Sequence, residues 1–367
     1  MQNSKIKDVT SYLESLAPKA YQESYDNSGL LTGNPETTVT GVLTTLDVTE
    51  NVVEEAIALR CNLVVAHHPI LFKGLKSLTG KSYVERTIIS AIKKDIAIYA
   101  SHTNLDNVSM GVNKRIADII GLTKTSVLVP RVGTLSKLVT FVPRANLTQV
   151  TTALHDAGAG DVGNYEECSF QVEGTGTFVP GPGSNPHIGK VGKPEKIAEV
   201  RIEMLFPSHL QHTMLEALRK AHPYEEVAYY ITHLANENQE VGAGMIGDLL
   251  NAEEPKQFLE RLKITMQATV IRHTALLKKP IQKVAVCGGS GSSMLYEAIA
   301  QGADAFVSAD FKYHEFFDAE GKILIADVGH YESEQFTKGL LNDILTKKFT
   351  TFASHFSKTV TNPISYL

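Results

Sequence analysis

The chain has no tryptophan, only three cysteines, no excess of basic residues and no long apolar run, and each shortage removes a class of protein. A membrane-spanning helix needs roughly 18 consecutive apolar residues, and no stretch reaches that. The opening MQNSKIKDVTSYLESLAPKAYQESYDN lacks the uninterrupted apolar core of about 7 to 15 residues that a secretory signal carries. Cys61, Cys168 and Cys287 are odd in number and far apart, which argues against a disulfide framework and for a reducing compartment. These absences predict a cytoplasmic protein with no membrane partner. With 35 Lys and Arg against 40 Asp and Glu, the net charge is −5, so the basic footprint of a general nucleic-acid binder is missing. What is present is ordinary: 43% hydrophobic and 20% charged residues describe a folded globular protein. At roughly 100 to 200 residues per domain, 367 residues predict two or three domains.

From Val39 to Val108, short β-branched runs alternate with segments of helical period, the pattern of βαβ units and a mainly parallel sheet. VTGVLTTLD reads as a strand. A helix opening at Thr49 or Glu50 follows, with Val52, Val53, Ala56, Ile57 and Leu59 on one side, and then NLVVAHHPI as a buried strand. Tyr83 to Lys94 is amphipathic, IAIYASHTNLD is a third strand, and a helix from Gly111 to Ile120 stops at Gly121. The same grammar returns late: KVAVCGG, DAFVSAD and KILIADVG as strands, separated and followed by helices at SSMLYEAIAQG, KYHEFFDAEG and SEQFTKGLLNDILTKKF. Between the two segments the order is β-α-β-β-α-β, which predicts a ferredoxin-like α+β insert. Residues 174–194 hold six Gly and four Pro in 21 positions and read as a loop. The expected architecture is therefore an α/β body in two segments, 1–127 and 241–367, interrupted by an inserted domain at 128–240.

Three strand ends carry residues capable of metal chemistry. AHHP places His67 and His68 where a buried strand runs out, the position at which open α/β sheets bind ligands. Neighbouring strand residues face opposite ways, so both imidazoles reach one site only if the strand ends at His67. Two ordinary polar loop residues are the alternative. SHTNLDN offers His102 and Asp106, although an Asp there can equally cap the next helix. DVGHYESEQF sets His330 and Glu334 four residues apart, on one helical face, or else simply opens a helix with an acidic first turn. A parallel sheet would bring these ends to one edge. Imidazole and carboxylate without thiolate suit Zn, Fe, Mn or Co, and one bridging carboxylate would give the two-metal arrangement used in hydrolysis. His102 and His314 are candidates for acid or base beside the metals, each also readable as a hydrogen-bonded loop histidine. CGGSGSS joins a strand to a helix but lacks the P-loop Lys and most of the dinucleotide fingerprint, so it reads as a tight turn and no nucleotide-cofactor site is expected. Tyr25-Asp26-Asn27 reads as a turn, HPYEEV at His222 to Val227 as a turn and interface, and Cys287 has no visible activating partner.

AHHPILFKGLKSL, SHTNLDN with GVN following, and DFKYHEFFDAEGKILIADVGHYESEQ together resemble the GTP cyclohydrolase I type 2 homologues, also called Ngg1-interacting-factor-3-like proteins. The resemblance covers both α/β segments. It implies two divalent metal ions per chain, held by His67, His68, Asp106, His330 and Glu334, with Glu334 reaching both. It also implies an insert similar to the PII and CutA proteins, a toroidal homohexamer, and, from the family name, opening of the GTP imidazole ring with loss of formate. The metal site itself carries the broader expectation of a dinuclear metal-dependent hydrolase acting on a small molecule such as a nucleotide. The alternative, from a different class, is a non-catalytic metal-binding protein serving as store, chaperone or sensor.

Overall fold

The computed structural model describes residues 4–367; the first three residues of the opening segment lie outside it. The chain falls into two compact units, Met1–Pro130 with Val241–Leu367, and Arg131–Glu240. Five strands come first, β1 (Gly29–Thr32), β2 (Gly41–Thr45), β3 (Leu63–Ala66), β4 (Ala97–Ala100) and β5 (Leu122–Val132). Next are β6 (Leu135–Pro143), β7 (Phe170–Phe178), β8 (Glu195–Pro207) and β9 (Tyr229–His233). The rest are β10 (Glu237–Glu253), β11 (Arg272–His273), β12 (Ile281–Ser290), β13 (Ala305–Ala309), β14 (Leu324–Asp327) and β15 (Ala353–Phe356).

Where one parallel sheet was expected to collect the three site segments, the first unit has two sheets, ordered β1-β4-β3-β2-β15 and β11-β14-β13-β12-β10-β5. The reason lies in which residues each strand buries. β3 turns Leu63 and Val65 to one side and Val64 and Ala66 to the other, and β14 divides Leu324 and Ala326 from Ile325 in the same way. Both faces of both sheets are thus apolar and need cover. Leu63, Val65, Leu324 and Ala326 share one core with Ile116, Ile120, Leu341 and Leu345 of the helices Val112–Ile120 and Thr337–Lys348. Val64 and Ala66 pack instead on the helices Glu50–Ala58 and Tyr83–Lys93. Thr49 caps the first of these by accepting the Val52 N–H. Ile57 and Leu59, expected on its buried side, are exposed, because Ile57 sits at the edge of the apolar arc and Leu59 lies beyond the last helical residue.

The second unit is a four-stranded sheet ordered β7-β8-β6-β9 in which every neighbouring pair is antiparallel. The helices Leu147–Asp156 and Gln211–Ala221 bury Val150, Leu154, Met214 and Leu218 against Leu138, Val142, Val200, Ile202 and Phe206 of the sheet. The stretch expected to be loop from residue 174 remains in strand through Phe178, laddered from Gly174↔Glu199 to Phe178↔Glu195. Gly176 suits this edge strand because the neighbouring side chain takes its space: a Cβ there would stand 2.0 Å from Glu199 Oε2. Among the described residues, no helix is long and apolar enough to cross a membrane.

Candidate metal centre

β3 ends at Ala66, and the backbone N–H groups of His67 and His68 bond to Thr45 and Leu46 carbonyls at 3.1 and 2.9 Å. The strand thus runs out just before the two histidines, as the sequence required for both rings to reach one site. Asp106 closes the single-turn helix Thr103–Asp106 that follows β4. His330 and Glu334 lie one turn apart on the short helix His330–Glu334 after β14. These five side chains converge although they come from two sheets. His67 Nε2 stands 3.6 Å from Asp106 Oδ1 and 3.8 Å from Glu334 Oε1. Glu334 Oε2 stands 2.9 Å from His68 Nε2 and 3.1 Å from His330 Nε2.

Each imidazole is oriented from behind. The Nδ1 of His67 donates to the Ser101 carbonyl at 2.9 Å, that of His68 faces Asp47 at 2.8 Å, and that of His330 faces Asp310 at 2.7 Å. His102 faces Asp26 in the same manner at 2.8 Å. A ring nitrogen that donates outward leaves the other free to bind a cation, the usual arrangement behind metal-ligating histidines. Three sets bring their ligand atoms within 4.8 Å of one another: His67, Asp106 and Glu334; His68, His330 and Glu334; and His67, His68 and His102. Glu334 belongs to two of them.

The fit to a metal can be tested on the buried polar atoms. His67 Nε2, Asp106 Oδ1 and Glu334 Oε2 are fully buried and have no hydrogen-bond partner. Glu334 Oε2 is close to two histidines, yet neither contact has hydrogen-bond geometry. Orphaned buried polar atoms are rare, and leaving one unmade costs roughly 1 to 3 kcal/mol. A lone pair on His67 facing two carboxylates is repulsive unless a cation lies between them, so the donor set fits a metal ion. The charge balance agrees. Burial pushes His67 down, keeping it neutral. Burial and then the Glu334 charge push Asp106 well above the usual carboxylate range. Burial also opposes the charge on Glu334, but His330, His67 and His68 outweigh it and hold its carboxyl well below that range. For His68 and His330, burial is again outweighed, here by Asp47 with Glu334 and by Glu334 with Asp310, so they rise to about 10 and about 9.

The CGGSGSS stretch at the end of β12 supplies the space for the shared carboxylate. Gly289 has φ of +61°, and a Cβ there would stand 2.4 Å from Glu334 Oε1. Cys287 to Ser290, read as part of a tight turn, instead form the irregular end of β12, where Gly289 admits Glu334. Around the centre lies a cavity of about 800 Å³, whose lining includes Tyr25, Phe72, His102, Asn113 and Met294. The ring of His102 is 5.3 Å from those of both His67 and His68.

His314 is not part of this cavity. The segment expected to be an α-helix is a 3-10 turn, Tyr313–Ala319, in which His314 is exposed and packs only on the rings of Tyr313 and Phe317. Asp26, read as a turn residue, does more than turn the chain: it also accepts from the Thr103 N–H at 3.0 Å and from the Ser28 and Thr103 hydroxyls. Asp47 and Asp310 were missed, though each follows a buried strand, β2 or β13, as His67 follows β3. That position was the available signal.

Two sheets, the first mainly parallel and the second mixed, whose strand ends converge on histidines and carboxylates able to hold a metal ion define a mixed α/β protein with a candidate metal centre. The chain belongs to the Duf34/NIF3 (NGG1p interacting factor 3) family, whose model matches residues 4–363. It is 37% identical to the GTP cyclohydrolase 1 type 2 homolog of Bacillus subtilis, over 98% of each chain. It is 42% identical to the protein of the same name in Halalkalibacterium halodurans, over 88% of this chain and 87% of that one. The crystal structure of a Bacillus cereus protein related to NIF3 matches all of both chains, with a TM-score of 0.88 and 38% identity.

Proposed function

We propose that the chain is a dinuclear metal-dependent hydrolase acting on a small molecule, with GTP as the first substrate to try because relatives carry the name GTP cyclohydrolase 1 type 2 homolog. His67, Asp106 and Glu334 would hold one ion and His68, His330 and Glu334 the other, with Glu334 common to both sets. The observation that carries this reading is the convergence of three orphaned buried atoms, one of them on the carboxylate that two ligand sets share. Two bound ions, Zn, Fe, Mn or Co, would supply Lewis-acid activation of water and of the substrate's electrophilic carbon or phosphorus. His102, oriented by Asp26, faces the cavity and moves a proton there. The ring of Phe72 stands 5.6 Å from that of His102 on this side of the cavity.

The test is metal analysis joined to a turnover screen. Protein purified without chelator is expected to carry about two ions per chain, and formate is expected to accumulate with turnover of GTP. Fewer than about one ion per chain defeats the reading. Retained metal with no saturable turnover of GTP, phosphoesters or cyclic amides transfers the protein to the class of metal stores or sensors. The proposal extends to assembly and place. The β-α-β-β-α-β order and the β7-β8-β6-β9 sheet support a ferredoxin-like module of the PII and CutA kind at 131–240. A cytoplasmic homohexamer is proposed on the family resemblance, and a clean monomer at micromolar concentration would overturn it.

A further inference from the structure

Two stretches singled out in the sequence remain outside the metal centre, the Gly/Pro-rich run at 174–194 and HPYEEV at His222 to Val227. Both line one cavity of about 620 Å³ in the Arg131–Glu240 unit. The two helices cover one face of the four-stranded sheet, where Val142, Val200 and Ile202 lie. The other face carries the cavity, with Phe141 of β6, Glu199 and Arg201 of β8, and Val172 of β7 alternating away from that core. Gly174 leaves the floor open, since a Cβ there would meet nothing within 4 Å.

The wall is fixed by a buried histidine. His222 Nε2 donates to the Phe141 carbonyl at 2.9 Å, and its Nδ1 accepts the Tyr224 N–H at 3.1 Å. Both nitrogens are thus committed to placing Tyr224, whose hydroxyl donates to Glu199 Oε1 at 2.9 Å. Phe178 faces Tyr224 with ring centroids 6.3 Å apart. Charge decides what such a cavity takes. Glu173 is neutralised by Arg144 at 2.6 Å, and the lining cation Arg201 is already paired with Glu203 at 2.7 Å. Glu199 and Glu225 each accept from a neutral donor, the Tyr224 hydroxyl and the Asn185 N–H, and line the cavity together with Phe141, Phe178 and Tyr224.

We propose that this cavity binds a small organic cation, an ammonium or guanidinium group at Glu199 with an apolar body against Phe141, Phe178 and Tyr224. Rings and carboxylates together favour a cation over a neutral molecule of the same shape, and the volume suits a small ligand. The full chain is titrated calorimetrically with choline and agmatine, with 3,3-dimethylbutan-1-ol as a neutral counterpart of choline, and with AMP as an anion. Saturable binding of one of the cations is expected at about 1 mM or tighter, with the alcohol about tenfold weaker and AMP silent. Equal binding of choline and the alcohol, preference for AMP, or saturation by neither cation overturns the proposal. Glu199→Gln, which keeps the Tyr224 hydrogen bond, is expected to weaken cation binding at least about fivefold. Gly174→Leu fills the open floor and is expected to abolish it while metal content and circular dichroism stay unchanged. Wild-type affinity in a folded Gly174→Leu chain would also overturn the proposal.

Discussion

On one side of Glu334, His67 and Asp106 are governed by burial: the ring is neutral, and the carboxyl, although its side chain is 23% exposed at the cavity, is driven toward its protonated form. On the other side, His68 and His330 each have a carboxylate behind them, Asp47 or Asp310, and are driven toward the charged form. The same residue types thus prepare for a cation in two ways. On the first side one proton, on Asp106, has to leave before a metal binds, and on the second side up to two have to leave, from His68 and His330. In such a centre, occupancy responds to pH more steeply on the side with two protons to lose.

The largest expected effect removes what the two sides share. Glu334→Gln deprives both ions of a ligand, so metal per chain measured after dialysis should fall from about two to near zero. Retention of one ion would show that the sides bind independently. Next in size is pH. With folded values of about 10 and 9 against an ordinary 6.5, His68 and His330 stabilise the metal-free fold below pH 6.5, and that contribution is lost as pH rises through 9 to 10. A metal must displace up to two protons over this range. Apparent affinity for the ion on that side should therefore climb by up to about 100-fold per pH unit between pH 7 and 9, read by chelator competition. A flat profile would erase the distinction between the sides. Asp310→Asn should weaken the ion at His330 by about 10- to 100-fold and leave the ion at His67 in place. The smallest effect on metal is expected from His102→Gln, with content unchanged within about twofold while any turnover falls by about 10² to 10⁴. Loss of an ion in that variant would make His102 a ligand.

Much of the centre was legible because AHHP, SHTNLDN and GHYESE each place a candidate ligand just past a buried strand, and strand ends can be read from apolar runs. Less legible was what stands behind the ligands. Asp26, Asp47 and Asp310 reach their histidines across 76, 21 and 20 positions, and no local periodicity encodes such a pairing. The division into two sheets was hidden for a related reason. All the central strands are buried on both faces, so their composition does not say which strands are neighbours. β1 and β15, four residues each at sheet edges, carry too little pattern to stand out. The segment around His314 reads as a helix but forms a 3-10 turn on which Tyr313, His314 and Phe317 are exposed.

β15 has a consequence for how the protein is made. It joins the first sheet in parallel beside β2, pairing Ala353 with Gly41 and Phe356 with Thr44. On the ribosome, β2 therefore emerges with one edge uncovered, and the partner for that edge is translated only after the other strands of both units. At about 5 to 20 residues per second the wait is on the order of tens of seconds. An uncovered strand edge invites pairing with another chain, so the nascent protein is most prone to aggregate before its final strand arrives. Ser357 donates to the Thr44 carbonyl and Thr361 to Asp47, so the same late segment also braces the residue behind His68. An ion that bound at this centre would therefore find Asp47 braced only after that late segment has folded into place, and a chaperone that shields nascent edges would act on the half-built sheet before then.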